Sequence, residues 1–191
     1  MVIGVPIGEV DTYSRRLAKT INFGVLYGMG IYGLALDTGL SPAEASKFIE
    51  LYWSRYPAVR AFMDRTLEEG REKGYVSTLL GRRRYSPELK SRNGGIRQQA
   101  ERMAINAPVQ GTAADIIKIA MNRLHDEMAT RGAKSRMLLQ VHDELLFEVA
   151  KSELQSMRDL VCETMEGAME LSVPLKVEVK YGKNWGEMQT I

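Results

Sequence analysis

Residues 11–28 have the sequence DTYSRRLAKTINFGVLYG. Apolar residues recur three and four positions apart along this stretch, which predicts an amphipathic helix with its apolar stripe against a core. The opposite side of the same helix carries two cations and then two aromatic rings, each four positions from the next. We call these four side chains the ridge: Arg15, Lys19, Phe23 and Tyr27. A plain surface helix would carry more charge where the two rings lie, so the ridge is a candidate binding surface.

The chemistry of the ridge suits a nucleotide. Lysine and arginine can hold phosphate oxygens, an aromatic ring offers a flat face to a base or sugar, and a helix N-terminus adds partial positive charge. An alternative interpretation is that Phe23 and Tyr27 pack against a neighbouring helix while the two cations are solvated. Spacing alone leaves both interpretations open.

A second informative stretch is residues 138–149, LLQVHDELLFEV. Two apolar, strand-like runs meet at His142 and Asp143, which predicts a β-hairpin with the acidic pair Asp143 and Glu144 at a rigid tip. A divalent cation needs carboxylate oxygens held in this way. The alternative is an ordinary hairpin turn, where aspartate is common for reasons of backbone geometry.

Composition limits the class of protein. With 191 residues, 45% of them hydrophobic, the chain is long enough for one domain or two small subdomains and too apolar for disorder. One cysteine and two histidines argue against a disulfide framework and a histidine-rich metal site. Because no run approaches a membrane span and the start has no signal-peptide pattern, we expect a cytoplasmic protein without a membrane partner.

Charge is distributed unevenly along the chain. Residues 71–102 contain nine basic and three acidic residues, an excess of six positive charges, whereas residues 143–170 contain eight acidic and two basic residues. A basic block of this size can neutralise several phosphates of a nucleic acid. The alternative is a solvated basic surface.

The predicted elements give an α+β fold, with a helical first half and a small antiparallel sheet in the second half. Helices are expected at about residues 11–28, 41–56, 57–73, 96–106, 112–130 and 152–168, with a break at Pro108. Strands are expected at residues 75–80, 82–85, 135–141, 144–149 and 175–180.

Two motifs resemble known family sequence. Residues 15–28 resemble the nucleotide-binding helix of the fingers in family A DNA polymerases, the bacterial polymerase I group, with the pattern R-x-x-x-K-x-x-x-F/Y-x-x-x-Y-G. The resemblance implies that Arg15 and Lys19 hold the triphosphate of the incoming nucleotide, with Lys19 also serving catalysis. It implies that Phe23 stacks at the base and sugar, and that Tyr27 occupies the template position before the next base enters. In that family, phenylalanine at the position that matches Phe23 is associated with discrimination against dideoxynucleotides.

Residues 138–149 resemble the palm motif Q-V-H-D-E of the same family. The resemblance implies that Asp143 is a ligand of the catalytic Mg²⁺ ions, that Glu144 supports it, and that His142 lies near the primer terminus. Residues 81–85, GRRRY, and 102–115, RMAINAPVQGTAAD, are also similar to family sequence. They imply further contacts with template and primer DNA from Arg82, Arg83, Arg84, Arg102, Asn106 and Gln110. The alternatives are a helix surface for Arg102 and Asn106 and a cap for Gln110.

The resemblance divides the chain into a fingers subdomain at residues 1–92 and a C-terminal part of the palm at residues 93–191. The family's first palm aspartate lies in a D-Y-S-x-I-E-x-R segment, which would precede residue 1. Residues 11–14, DTYS, match only the first letters of that segment and lead directly into the predicted helix. We therefore expect a polymerase fragment that holds half of the two-ion magnesium site, lacks the thumb and extends no primer alone. An exposed palm edge would make it self-associate or bind a complementary polymerase fragment.

Three functions remain to be compared. The first is a template-directed DNA polymerase that adds a deoxynucleotide to a primer 3′-hydroxyl, with primer–template DNA and dNTP as partners. The second is a non-catalytic nucleic-acid-binding module that uses the basic block alone. The third is a metal-dependent nuclease built on Asp143 and Glu144, which leaves the ridge without a purpose.

Overall fold

The computed structural model describes residues 6–190, and it confirms the α+β class. The outer ends of the predicted fingers and palm, residues 1–5 and 191, lie outside the described residues. The helices are α1 Thr12–Leu26, α2 Ile31–Thr38, α3 Pro42–Arg55, α4 Pro57–Lys73, α5 Gly94–Thr130 and α6 Leu154–Glu166. The strands are β1 Tyr75–Ser77, β2 Arg83–Tyr85, β3 Arg136–Val141, β4 Glu144–Glu148, β5 Lys180–Tyr181 and β6 Gln189–Thr190. They form three antiparallel pairs, β1–β2, β3–β4 and β5–β6.

The chain forms two compact units, of which the first ends at Val109 and the second begins at Gln110. The boundary between fingers and palm at residues 92 and 93 stays a prediction. Within residues 6–190, no helix is both long enough and apolar enough to cross a membrane.

The first unit is built on helices α1, α2 and α3. Their shared core consists of Ile21, Val25, Leu34, Ala45 and Tyr52. The apolar stripe predicted on α1 is therefore confirmed, because Ile21 and Val25 are both buried there. The Tyr52 hydroxyl donates a hydrogen bond of 2.6 Å to Oδ1 of Asn22, which ties α3 to α1. Burial of Tyr52 raises the pKa of its hydroxyl.

Local capping chemistry sets the ends of α3 and α4 where the sequence predicts them. Ser41 Oγ accepts a hydrogen bond from the backbone N–H of Glu44, and the Glu44 carboxylate accepts one from the backbone N–H of Ser41. The Ser41 hydroxyl also donates to Oε2 of Glu44 at 2.6 Å, and this bond, followed by the one from the Ser41 backbone N–H, lowers the pKa of Glu44. Pro57 starts α4, and Gly74 ends it with a φ of 78°, a conformation that glycine adopts without strain.

The predicted helix break at Pro108 is wrong, because Pro108 lies inside the continuous helix α5. Proline removes one N–H donor from a helix and its ring crowds the preceding turn, at a cost of roughly 3 kcal/mol. Ala104 and Ile117, on either side of Pro108, are buried, and packing of those turns offsets the cost.

The predicted strand at residues 175–180 is also wrong in extent. Only Lys180–Tyr181 pairs, and its partner is Gln189–Thr190. The backbone N–H of Val177 instead donates to Oε1 of Glu166 at 3.1 Å. A side chain therefore satisfies a backbone group that a neighbouring strand was expected to satisfy.

The second unit packs the β3–β4 hairpin against the C-terminal part of α5 and against α6. Its core consists of Leu124, Met128, Met157, Leu160 and Val161, with Met137, Leu145 and Phe147 of the hairpin packed against it. The hairpin predicted at residues 135–149 is thus confirmed, and one of its faces is fixed to two helices.

The carboxylate of Glu153 holds the base of this hairpin. It accepts hydrogen bonds from the backbone N–H of Lys134 at 3.0 Å, from that of Ser135 at 3.0 Å and from the Ser135 hydroxyl at 2.6 Å. The Ser135 oxygen also accepts a bond of 3.2 Å from the backbone N–H of Ala150, at the other side of the hairpin base. The bond from the Ser135 hydroxyl, followed by that from the Lys134 N–H, lowers the pKa of Glu153.

This geometry predicts how pH affects stability. Because the pKa of Glu153 is lower in the folded chain than in the unfolded chain, its ionised form stabilises the fold above its ordinary pKa of about 4.5. That stabilisation is lost as the pH falls through the lowered value. Glu153→Gln should therefore reduce the melting temperature at neutral pH, and the two proteins should converge in acid. Glu163→Gln, on the exposed side of α6, is the matched control; a loss that persists in acid would contradict this linkage.

Candidate nucleotide and nucleic-acid site

Helix α1 begins at a side-chain cap. Oδ1 of Asp11 accepts a hydrogen bond of 2.7 Å from the backbone N–H of Ser14. Hydrogen bonds with the side chain and then the backbone of Ser14 lower the pKa of Asp11. The Asp11 carboxylate therefore starts the helix, and the interpretation of residues 11–14 drawn from the sequence stays a prediction.

The ridge lies on the side of α1 opposite the core. Arg15 and Lys19 are exposed, and in the part of the chain that the structure describes neither has an ion pair. The rings of Phe23 and Tyr27 are 48% and 39% exposed, and they stack with centroids 6.0 Å apart and an interplanar angle of 17°. Two cations and a pair of stacked rings thus form one accessible surface on a helix whose other side is anchored in the core.

The end of α1 lies beside Arg102 of α5. Gly28 follows Tyr27 with a φ of 81°, and a Cβ on Gly28 would lie 3.5 Å from Cγ of Arg102. The methylene stem of Arg102 therefore runs along the backbone next to Tyr27, while the residue as a whole stays exposed. Of the other two predicted DNA contacts on α5, Asn106 is partly buried and Gln110 is exposed.

The three consecutive arginines Arg82, Arg83 and Arg84 lie on the β1–β2 ribbon, after the turn at Gly81. All three are exposed. The guanidinium of Arg83 lies over the ring of Tyr75, with 4.6 Å between its Cζ and the ring centroid. The ribbon therefore presents positive charge on a short, paired piece of backbone.

The tip of the β3–β4 hairpin is a two-residue turn at His142 and Asp143. His142 has a φ of 55°, and it is the one non-glycine residue with positive φ among residues 6–190. Nε2 of Gln140 donates a hydrogen bond of 2.8 Å to the carbonyl oxygen of His142, which supports this uncommon conformation. His142, Asp143 and Glu144 are exposed at the tip.

The donor set at this tip suits a divalent cation in part. Asp143 and Glu144 supply adjacent hard oxygen donors, and neither has an ion pair within the described residues. Mg²⁺ commonly takes one or two carboxylates together with phosphates and water. No group of three or more histidine, cysteine, aspartate or glutamate side chains that could hold a metal occurs within residues 6–190.

A family model for DNA polymerase family A matches residues 1–187. The chain belongs to this family. It is 52% identical over 184 residues to the thermostable DNA polymerase I of Thermus aquaticus, covering 96% of this chain and 22% of that protein. It is 50% identical over 184 residues to DNA polymerase I of Deinococcus radiodurans, covering 96% of this chain and 19% of that protein. The chain thus spans about a fifth of the length of these relatives.

A solved structure shows the same fold. The POL domain of Pol1 from M. smegmatis, determined in complex with a DNA primer-template and dNTP, superposes with a TM-score of 0.91 at 47% identity. The match covers 96% of this chain and 32% of that chain. The resemblance to family A polymerases and the fold class drawn from sequence are both confirmed.

Two contacts in this family A chain were not found by sequence reasoning. The first is the support that Gln140 gives to the turn at His142. The bond ends on a backbone carbonyl whose position depends on the positive φ of His142, so strand spacing does not predict it. The second is the approach of Arg102 to Gly28, which depends on the packing of two distant helices and has no local signal.

Proposed function

We propose that this chain carries the nucleotide-binding helix and a metal-binding carboxylate of a template-directed DNA polymerase, which joins a deoxynucleotide to a primer 3′-hydroxyl and releases pyrophosphate. The ridge is the observation that carries the proposal. The proposed function of a nuclease or of a general nucleic-acid-binding module does not require two accessible cations followed by two stacked rings on a helix whose other face is buried. Similarity to polymerases over 96% of the chain supports the same conclusion.

Arg15 and Lys19 lie one helical turn apart, so both can donate charge-assisted hydrogen bonds to the phosphates of one dNTP. The positive end of α1 adds to the attraction. As pyrophosphate leaves, its growing negative charge strengthens the interaction with Lys19, and this gives Lys19 its role in the chemical step. Phe23 then covers the base and sugar, and Tyr27 occupies the template position until the next base enters.

Asp143 is the proposed protein ligand of Mg²⁺, with Glu144 beside it in support. When bound, magnesium supplies positive charge that stabilises the attacking and leaving oxygens of phosphoryl transfer. The hairpin contributes rigidity, since Gln140 fixes the backbone of the turn and the strands pack on a helical core. His142, at the same turn, is placed to approach the primer terminus.

The remaining proposed DNA contacts are independent of the base sequence of the DNA. Arg102, Asn106 and Gln110 recur every fourth residue on α5, and we propose that they contact template and primer from the minor groove. Minor-groove acceptors are shared by all correct base pairs, so such contacts test pair geometry without reading sequence. Arg82, Arg83 and Arg84 would neutralise backbone phosphates.

Nucleotide binding by the 191-residue chain tests the proposal. Arg15→Ala and Lys19→Ala should each weaken the affinity for a Mg²⁺–dNTP complex about tenfold, since each removes a charged hydrogen-bond donor. A fluorescent dNTP titrated at low salt measures this. Lys47→Ala, an exposed lysine on α3, is the matched control for the loss of one positive charge. Equal losses in all three variants would mean that the chain attracts nucleotides only through its net charge.

The basic block of residues 71–102 favours a second candidate, a non-catalytic nucleic-acid-binding module. This candidate requires duplex binding that weakens with salt and is indifferent to the ridge variants. Self-association, or pairing with a complementary polymerase fragment, stays a prediction. The exposure of Leu138 and Leu139 on the β3–β4 hairpin is consistent with such a contact.

A further inference from the structure

One face of the β1–β2 ribbon is turned away from the core. Tyr75 pairs with Tyr85 and Ser77 pairs with Arg83, so these residues share a face. Val76 lies on the other face and is buried in the cluster with Leu89, Ala100 and Ala104. We call the outward side chains Tyr75, Arg83 and Tyr85 the tyrosine face.

The geometry of the tyrosine face is that of an ordered aromatic surface. The rings of Tyr75 and Tyr85 meet edge to face, with centroids 5.7 Å apart and an interplanar angle of 62°. Arg83 covers Tyr75, whereas Tyr85 is 69% exposed. One ring is thus covered by a cation, and a second ring beside it is accessible for stacking.

The charge of Arg83 is not neutralised by a carboxylate in the part of the chain that the structure describes. The other arginine over a ring differs in this respect, because Arg60, which lies over Trp53, is paired with Asp64 at 3.1 Å. Two further cations of the basic block, Arg71 and Lys73, are paired with acidic side chains. Within residues 6–190, the positive charge of Arg83 therefore remains available to a bound phosphate.

We propose that the tyrosine face binds an unpaired strand of DNA, with Tyr85 stacking on a base and Arg83 holding a neighbouring phosphate. Aromatic side chains on adjacent antiparallel strands can stack on bases of any sequence when nearby cations bind the phosphates of the nucleic-acid backbone. A duplex cannot use Tyr85 in this way, because its bases are already stacked on one another. The inference goes beyond the proposed function, which uses Arg83 for a backbone phosphate but uses neither tyrosine.

A comparison of three labelled probes tests the inference: oligo(dT) of about 12 nucleotides, an abasic strand of the same length and a blunt duplex. Tyr85→Ala should weaken oligo(dT) binding about tenfold, because one base–aromatic stack is lost. Binding of the abasic strand and of the duplex should not change, since they offer phosphates without accessible bases. Tyr85→Phe should keep the wild-type affinity for oligo(dT).

Tyr32→Ala, an exposed tyrosine on α2, is the matched control and should bind all three probes as the parent chain does. If Tyr85→Ala does not fold, Tyr85→Leu keeps the apolar bulk without the aromatic face and should show the same loss. An unchanged affinity for oligo(dT), or an equal loss on the abasic strand, overturns the inference. Nucleotide binding by the ridge is measured separately, so failure of the tyrosine face is distinguishable from failure of the proposed function.

Discussion

In a chimeric polymerase that contains this chain, Asp143→Asn should abolish primer extension. The substitution keeps the size of the side chain but removes the negative charge that the proposed Mg²⁺ site requires. We expect a loss of at least about a thousandfold in rate, equivalent to about 4 kcal/mol of transition-state stabilisation. The assay uses a chimera in which this chain replaces the matching segment of the Thermus aquaticus polymerase, to which it is 52% identical.

Two other substitutions in the hairpin make this test specific. Glu144→Gln should have a smaller effect, because a supporting carboxylate is not the direct ligand. Glu148→Gln removes the same charge from the far end of β4, where the side chain is exposed, and should leave extension intact. If the Asp143→Asn chimera extended primers at a rate similar to that of the Glu148→Gln chimera, Asp143 would not be a ligand of the proposed metal site.

The sequence predicted best the features that local chemistry decides. Ser41, Pro57 and Gly74 set helix ends within one residue of the predicted positions, since capping and φ preferences act over a single turn. The β3–β4 hairpin was predictable for the same reason, because two apolar runs flank a polar pair. The break predicted at Pro108 was wrong, since the cost of proline is local whereas the residues that bury the neighbouring turn at Ala104 come from an earlier part of the chain.

For the candidate site, residue identity was more informative than spacing. Spacing alone left Phe23 and Tyr27 as either a ligand surface or a helix contact, and their roles came from resemblance to the polymerase family. The φ of His142, its support by Gln140 and the approach of Arg102 to Gly28 had to come from the structure. These contacts depend on how the side chains pack in the folded chain, and the periodicity of the sequence does not indicate that packing.

Leu34→Ala should destabilise the first unit by roughly 2–5 kcal/mol, because it deletes a completely buried side chain and leaves a cavity. That is a large part of the roughly 5–15 kcal/mol that stabilises a typical domain. Leu34 packs in one cluster with Ile21 and Val25, the residues that fix α1 to the core. Nucleotide binding by the ridge should therefore weaken as the destabilised core unfolds, although Leu34 is not part of the ridge.

Leu36→Ala provides the control, because it makes the same substitution on the same short helix at a side chain that is 85% exposed. Trp53 packs against this core, so urea unfolding followed by its fluorescence in a Trp185→Phe background reports on the first unit. We expect a lower midpoint for Leu34→Ala and the parent midpoint for Leu36→Ala. Similar midpoints for the two variants would show that Leu34 does not anchor α1 in the core.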